Sequence, residues 1–284
     1  MKSMKPQTQA NKLTLITSGT GKTGRRVAMR LEERSLPIRI GSRSGNPAFD
    51  WTNPTTWVPA LKGVDAVYVT YQPDLAFPGA AATVRAFADV AIENGVRRLI
   101  LLSGRGEDGA LLAEQAIRES GAAWTIVRAS WFYQNFSEHF LLDAVRSGEV
   151  AFPGGRVAEP FVDADDIADI VVAALTDDRH VGQLYEVTGP RLLTFNEAVG
   201  EIAQATGRDI QYLAISPADY QAGMIEHGIP RDIAELLSEL FATVLDGRNT
   251  FVTDGIQRAL GRAPRDFAQY AKTTAATGVW NVNR

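Results

Sequence analysis

Short apolar runs alternate with segments of helical periodicity along the first two-thirds of the chain. The runs predict strands at residues 13–16, 37–40, 66–70, 98–102, 124–127 and 184–187. The segments between them predict helices at residues 23–33, 79–94, 110–120, 133–147 and 165–175. Strands that are nearly continuously apolar, alternating with helices, are typical of a parallel sheet covered on both faces. We therefore predict an α/β fold with a doubly wound parallel sheet.

The pattern changes after Val187, where helical signals dominate. Thr194 and Glu197 have the spacing of a capping box, which predicts a helix to about residue 205. Ser216 followed by Pro217 predicts a second helix start, and residues 231–245 show the apolar stripe of a third. We expect residues 13–190 to form the core and residues 191–284 a small, mainly helical substrate lobe that is not independent. Residues 1–12 are expected to be a flexible extension.

A glycine-rich turn carries the clearest chemistry. Gly19, Gly21 and Gly24 fit G-x-G-x-x-G and lie between the first strand and the first helix, the context that this motif requires. Such a turn lets a pyrophosphate approach free backbone amides at the helix start. A nucleoside-triphosphate P-loop would need glycine where Ile16 stands. The sequence thus predicts a Rossmann-type dinucleotide site, and its turn adds the candidate residues Thr20, Lys22 and Thr23.

The end of the second strand indicates which dinucleotide binds. NAD-binding domains usually place Asp or Glu there to hold the ribose hydroxyls. This chain has Ser42, Arg43 and Ser44 instead. A guanidinium is well shaped to hold a phosphate, so we predict that NADP(H) is preferred over NAD(H).

The composition argues against nucleic-acid-binding, membrane and metal-dependent classes of protein. The 284 residues carry a formal net charge of −4, which gives no basic field for nucleic acid or an anionic membrane. Cysteine is absent and the three histidines are far apart, so we expect no metal site. No apolar run reaches the ~18 residues of a membrane span, and no signal peptide is evident. We expect a cytoplasmic monomer or homodimer that acts on a small molecule.

Several motifs together resemble a known family. They are TSGTGKTGRR at 17–26, FDW at 49–51, GVDAVY at 63–68, RASWFYQNF at 128–136, PFVD at 160–163 with DIA at 166–168, and GRAPRDF at 261–267. The chain resembles the NmrA-like, atypical short-chain dehydrogenase/reductases over nearly its whole length. It is most similar to their festuclavine/agroclavine dehydrogenase-like branch.

The resemblance implies further contacts with the cofactor and substrate. Asp50 and Trp51 would lie by the adenine, and Tyr71, Gln72 and Pro73 would flank the ribose and pyrophosphate. Beside the nicotinamide, the resemblance implies Ser103, Gly104 and Ser130. The substrate pocket would be bordered by Trp131, Phe132, Tyr133 and Phe136, although Phe136 fits core packing equally well.

The sequence lacks the Tyr-x-x-x-Lys motif with which ordinary short-chain dehydrogenases donate a proton. Two interpretations stay open. In the first, the protein transfers hydride from NADPH to an electron-poor, cyclic or aromatic imine, iminium, quinone or carbonyl, with Tyr133 or Ser103 polarising the acceptor. In the second, it binds NADP(H) without turnover and acts as an NmrA-type redox sensor.

Overall fold

A computed structural model describes residues 12–138 and 140–282, so the expected N-terminal extension lies outside the described residues except for Lys12. In chain order the strands are β1 (Leu13–Ile16), β2 (Ile38–Ile40), β3 (Val64–Val69), β4 (Arg98–Gly104), β5 (Ala123–Ala129), β6 (Glu149–Phe152), β7 (Ala158–Glu159), β8 (Gln183–Val187), β9 (Leu193–Thr194) and β10 (Gln211–Ala214). The helices are α1 (Lys22–Glu33), α2 (Trp57–Leu61), α3 (Ala80–Glu93), α4 (Asp108–Glu119), α5 (Leu142–Ser147), α6 (Ala164–Thr176), α7 (Phe195–Thr206), α8 (Pro217–Glu226), α9 (Arg231–Val244), α10 (Gly255–Leu260) and α11 (Phe267–Ala276).

The central sheet has six parallel strands in the order β2-β1-β3-β4-β5-β8. Helices α1 and α6 pack together over one face, while α3 and α4 pack together over the other. The predicted α/β fold and all six predicted strands are therefore confirmed. The strand order reverses between β1 and β3, and in such sheets ligands bind beyond the strand ends at this switch point.

A second hydrophobic core lies in the C-terminal lobe. It contains Phe136 and Phe161 as well as Phe195, Phe267 and Trp280, so residues 191–284 do not form this lobe alone. Two small sheets also join the segments, because β10 pairs in parallel with β6 and β7 pairs antiparallel with β9. The sequence patterns did not predict these short strands, although the predicted helices α7, α8 and α9 are confirmed.

The predicted helix over residues 133–147 is wrong. The chain there forms a 3₁₀ turn at Tyr133–Phe136, and the α-helix α5 begins only at Leu142. Long-range bonds hold this turn: the Tyr133 amide donates to the Val162 carbonyl at 2.9 Å. The Gln134 side chain also donates to Asp163 and accepts from the Ala164 amide, both at 2.8 Å. Apolar spacing alone gave no sign of these partners.

Candidate active site

The glycine turn is packed too tightly for other residues. A Cβ on Gly24 would collide with the Ser18 carbonyl oxygen and lie 2.9 Å from the Gly19 Cα. A Cβ on Gly19 would lie 2.8 Å from Ile40 Cγ2, at the end of β2. Gly24 therefore lets α1 pack against the end of β1, and Gly19 brings the turn against the neighbouring strand.

The start of α1 offers amides to a ligand. Gly21 is the N-cap residue, and within the described chain no side chain caps this helix. The Thr23 hydroxyl is turned into the core, where it accepts from Tyr68 at 3.0 Å. Uncapped first-turn amides and the positive end of the helix dipole favour an anion at this position.

The candidate residues of the adenosine side differ in their placement. Arg43 is exposed just beyond β2, and Ser42 is half-buried beside it. Asp50 accepts from the Thr52 amide at 2.9 Å, and its pKa is lowered chiefly by this bond and the Thr52 hydroxyl. Trp51 is buried and its indole donates to the Thr70 carbonyl at 3.0 Å, so its ring belongs to the core and not to an open face.

A cavity of about 490 Å³ lies at the carboxyl ends of β3, β4 and β5. Side chains from α8, α9 and the segment between them cover it, and we call this set the helical roof: Tyr220, Met224, Ile229, Leu237, Leu240, Phe241 and Val244. Among the residues expected from the sequence, the lining includes Lys22, Tyr71, Pro73, Ser103, Gly104, Ser130, Trp131 and Phe132. The cavity thus joins the expected cofactor residues to an apolar chamber.

Tyr133 and Phe136 do not line this cavity. The Tyr133 hydroxyl donates to the Arg265 carbonyl at 2.8 Å, and the Tyr133 ring packs edge-on against Phe267 at 4.9 Å. Phe136 is fully buried in the second core. The structure therefore separates both side chains from the chamber, and Gln72 is exposed outside the lining.

Ser103 lines the cavity, but its hydroxyl proton is already donated in a hydrogen bond to Glu114. The Ser103 hydroxyl donates to Glu114 at 2.8 Å, and Arg128 grips the same carboxylate at 2.8 and 2.7 Å. Because the Glu114 carboxyl is fixed by Arg128 and takes the Ser103 proton in a hydrogen bond, Ser103 presents oxygen lone pairs to the cavity more readily than a donor proton.

Lys22 bridges the glycine turn and the chamber. Its ammonium donates to the Asn135 side-chain oxygen at 2.9 Å. Burial lowers the pKa of Lys22 to about 8, because the charged form loses hydration. The lysine is thus a positive group at the boundary between the glycine turn and the cavity.

Four ionisable residues of the lining were missed from the sequence: Asp74, Arg105, Glu107 and Tyr220. Arg105 follows β4, donates to Glu186 at 2.6 Å, and has one terminal nitrogen that is buried without a partner in the described chain. Asp74 follows β3 and Glu107 follows β4, and these strands are neighbours. The carboxyl ends of adjacent parallel strands share one edge, so strand positions alone could have suggested this pairing.

Comparison with known proteins decides the family. The NAD(P)H-binding family model matches residues 19–178, more than half of the chain. The chain belongs to this NAD(P)H-binding family. It is 32% identical to the NAD(P)H azoreductase of Xenophilus azovorans, covering 93% of this chain and 98% of the relative. It is 29% identical both to agroclavine dehydrogenase of Claviceps fusiformis (90% and 95% covered) and to prestalk A differentiation protein A of Dictyostelium discoideum (92% and 91% covered).

Solved structures agree on the fold. The NADPH complex of the Escherichia coli NADPH-dependent quinone oxidoreductase has a TM-score of 0.75 at 18% identity, covering 92% of this chain and 99% of the other. A mutant NmrA has a TM-score of 0.67 at 16% identity, with 94% and 97% covered. The resemblance to NmrA-like atypical short-chain dehydrogenase/reductases is confirmed, and with it membership of an oxidoreductase family that binds NAD(P)H.

The described residues contain neither a membrane-spanning helix nor a cluster of metal ligands. No helix among them is long and apolar enough to cross a bilayer. No group of three or more His, Asp or Glu side chains within residues 12–138 and 140–282 has an arrangement that could hold a metal ion.

Proposed function

We propose that this protein is an NADP(H)-dependent reductase that transfers hydride to a small, electron-poor acceptor. The observation that carries the proposal is that the glycine turn and the apolar cavity adjoin each other. The uncapped start of α1 after a close-packed glycine turn adjoins an apolar cavity, and Lys22 belongs to both. A phosphate site joined to a largely apolar chamber is the arrangement that suits hydride transfer from a bound dinucleotide.

The residues at the turn fit the pyrophosphate of the cofactor. First-turn amides and the Lys22 ammonium would face the phosphates, and Thr20 is exposed at the same turn. Ser103, Gly104 and Ser130 would border the nicotinamide at the ends of β4 and β5. A reduced nicotinamide supplies the hydride, while the chain supplies orientation and excludes water.

The acceptor space favours a flat, apolar molecule. Trp131 and Phe132 lie at the sheet side, and the helical roof adds aliphatic and aromatic surface opposite them. The Trp131 ring packs against Phe152 and Phe195 at 5.5 Å, so its position is fixed by the second core. Rigid aromatic walls are suited to planar imines, iminium ions, quinones or aromatic carbonyls.

The proposal is tested by binding and turnover together. Calorimetry should show NADPH binding, and a panel of quinones, cyclic imines, iminium ions and aldehydes should include acceptors that consume the NADPH absorbance. Tight NADPH binding with no turnover would favour the redox-sensor alternative. Absence of binding to either reduced dinucleotide would contradict the cofactor site itself.

Arg43 is proposed to select the phosphorylated dinucleotide. Its side chain is exposed beside the turn, and within the described residues it donates no hydrogen bond, so it is available for a 2′-phosphate. We predict that Arg43→Ala weakens NADPH binding at least about tenfold and leaves NADH binding nearly unchanged.

The matched control for this prediction is Arg34→Ala. Arg34 is also exposed but lies at the opposite end of α1, so the same charge change should not affect either dinucleotide. Calorimetric titration of both variants measures the difference. Equal NADPH and NADH affinities in the unaltered protein would contradict the assigned preference.

A further inference from the structure

The acceptor cavity contains a carboxyl pair that the proposed function does not yet use. Asp74 and Glu107 line the same chamber as Ser103 and Gly104. The Glu107 carboxyl lies against the Gly104 Cα, in the space where a Cβ on that residue would collide with both carboxyl oxygens. The absence of a side chain at Gly104 therefore leaves the space that the Glu107 carboxyl occupies at the end of β4, beside the proposed nicotinamide position.

No cation neutralises this pair within the described chain. Asp74 accepts from the Ala76 amide at 2.8 Å, and neither carboxyl has a lysine or arginine partner among residues 12–138 and 140–282. Glu107 is the N-cap residue of α4, yet its side chain accepts no capping bond from that helix. Its position is therefore not explained by helix capping or by an ion pair.

Burial and the neighbouring carboxylate act in the same direction on Glu107. Burial, followed by the charge of Asp74, raises the pKa of Glu107 to about 8, and burial also raises the pKa of Asp74. At neutral pH the pair therefore retains a proton inside the cavity. The other ionisable side chains of the lining are Lys22 from α1, Tyr71 after β3, Arg105 after β4 and Tyr220 from α8.

We propose that Glu107, held against Gly104 at the end of β4, is the proton donor of the reduction and that Asp74, which lines the same cavity, is a positioning residue that acts through it. This inference rests on the proposed reductase function. A proton donor is needed because the chain has no Tyr-x-x-x-Lys motif and because Tyr133 lies outside the cavity. Glu107 would fill this role.

The step balances for a neutral acceptor. A hydride from the reduced nicotinamide bonds to the acceptor carbon, and the π electrons of the C=N or C=O bond move to the heteroatom. The O–H bond of the Glu107 carboxyl breaks, and its proton bonds to that heteroatom. The products are the reduced acceptor, the oxidised dinucleotide and a Glu107 carboxylate, which regains a proton from solvent. An N-alkyl iminium cation needs only the hydride.

This difference between acceptors supplies the test. In Glu107→Gln, kcat for a neutral cyclic imine or aldehyde should fall about 10²-fold or more, whereas kcat for the N-methyl iminium cation of the same ring system should change far less. NADPH affinity and thermal unfolding should stay close to those of the unaltered protein. The exposed neighbour Asp108 offers the matched control Asp108→Asn, which should change neither rate.

The pH profile adds a readout that a merely structural role would not move. A proton donor acts in its protonated form, so kcat with a neutral acceptor should decline as pH rises through about 8. In Asp74→Asn the decline should move to lower pH, because the negative charge that raises the Glu107 pKa is gone. In Glu107→Gln the decline should disappear.

The outcomes separate this inference from the function on which it rests. If the unaltered protein consumes no NADPH with any acceptor, both proposals are contradicted. If it reduces acceptors but Glu107→Gln keeps kcat for the neutral one, or keeps the same alkaline decline, only the proton-donor role is contradicted, and Lys22 becomes the donor to test. Turnover of iminium cations alone would also contradict it.

Discussion

Glu159 is a buried carboxyl with no hydrogen-bond partner in the part of the chain that the structure describes. It lies in β7 with no exposed surface, and within the described residues neither of its oxygens is hydrogen-bonded. Burial raises the pKa of Glu159 to about 7, and the charge of Arg105 offsets this only in part. The folded protein thus binds this proton more tightly than the unfolded chain, in which the group ionises near 4.5.

Stability should therefore fall as pH rises from about 4.5 to about 7, because the unfolded state loses its proton first. We predict that Glu159→Gln raises the free energy of unfolding at pH 8 by on the order of 1–3 kcal/mol and has little effect at pH 4. Urea denaturation at the two pH values measures this. The exposed Glu149→Gln is the control, and an equal effect at both pH values would contradict the titration.

At the scale of elements, the junction of β1 and α1 depends on the missing side chain of Gly24. We predict that Gly24→Ala weakens NADPH binding at least about tenfold, since the collision with Ser18 must displace the turn or the helix. Calorimetry and thermal unfolding report the two effects separately.

Gly200 provides the matched comparison. It is exposed inside α7, and apart from its chain neighbours and the backbone of its own helix no described atom lies within 4 Å of the position that a Cβ would take. Gly200→Ala should stabilise the protein by about 0.5–1 kcal/mol through its higher helix propensity and leave NADPH binding unchanged. If Gly24→Ala binds NADPH as tightly as Gly200→Ala does, the turn does not form the phosphate site.

Elements whose signals are local could be predicted from the sequence. The six sheet strands are mostly apolar runs, and the capping box at Thr194 and Glu197 is present as expected. The strands β6, β7, β9 and β10 are two to four residues long and are defined by partners far along the chain. Residues 133–147 fail for the same reason, since bonds to Val162–Ala164 override their helical spacing.

The residues of the candidate site also fall into those that the sequence could predict and those that it could not. The glycine turn follows from its motif between β1 and α1, and the strand-end residues follow from the resemblance and from the rule for parallel sheets. Lys22 of the turn lines the same cavity as Ser103, Gly104 and Ser130. Whether an aromatic ring faces the chamber or the second core is a matter of side-chain direction, which apolar spacing does not encode. Trp131 and Tyr133 are two residues apart, yet only Trp131 lines the cavity.

The GRAPRDF segment has a structural role at the level of elements. Arg262 and Arg265 both bond the fully buried Asp166 of α6, and each also reaches Asp169. The Arg265 amide donates to Asp166 at 2.8 Å as well. A buried carboxylate needs such partners, so this network fastens the chain before α11 to the helix that covers the sheet.

At the scale of the whole molecule, Trp280 closes the second core. It is 1% exposed, and its indole donates to the Phe136 carbonyl at 2.8 Å. We predict that Trp280→Ala lowers the free energy of unfolding by about 3–5 kcal/mol, because a large cavity forms in a packed interior. NADPH affinity should change less than about threefold, since the glycine turn rests on the other two cores.

Denaturation and calorimetry measure both quantities for Trp280→Ala. The control is Val282→Ala, which removes a smaller and largely exposed side chain from the same end of the chain. Its effect should stay within about 0.5 kcal/mol. A loss of NADPH binding in Trp280→Ala at temperatures where the variant is folded would mean that the two halves are coupled more tightly than their separate cores indicate.

The helical roof comes from one uninterrupted stretch of sequence, between Pro217 and Val244, whereas the phosphate turn lies near the start of the chain. Replacing these 28 residues by another segment of similar hydrophobic pattern would thus reshape the helical roof and leave the glycine turn unchanged. A set of variants that share the proposed cofactor site and differ only in the roof segment would then differ in the acceptors that they reduce.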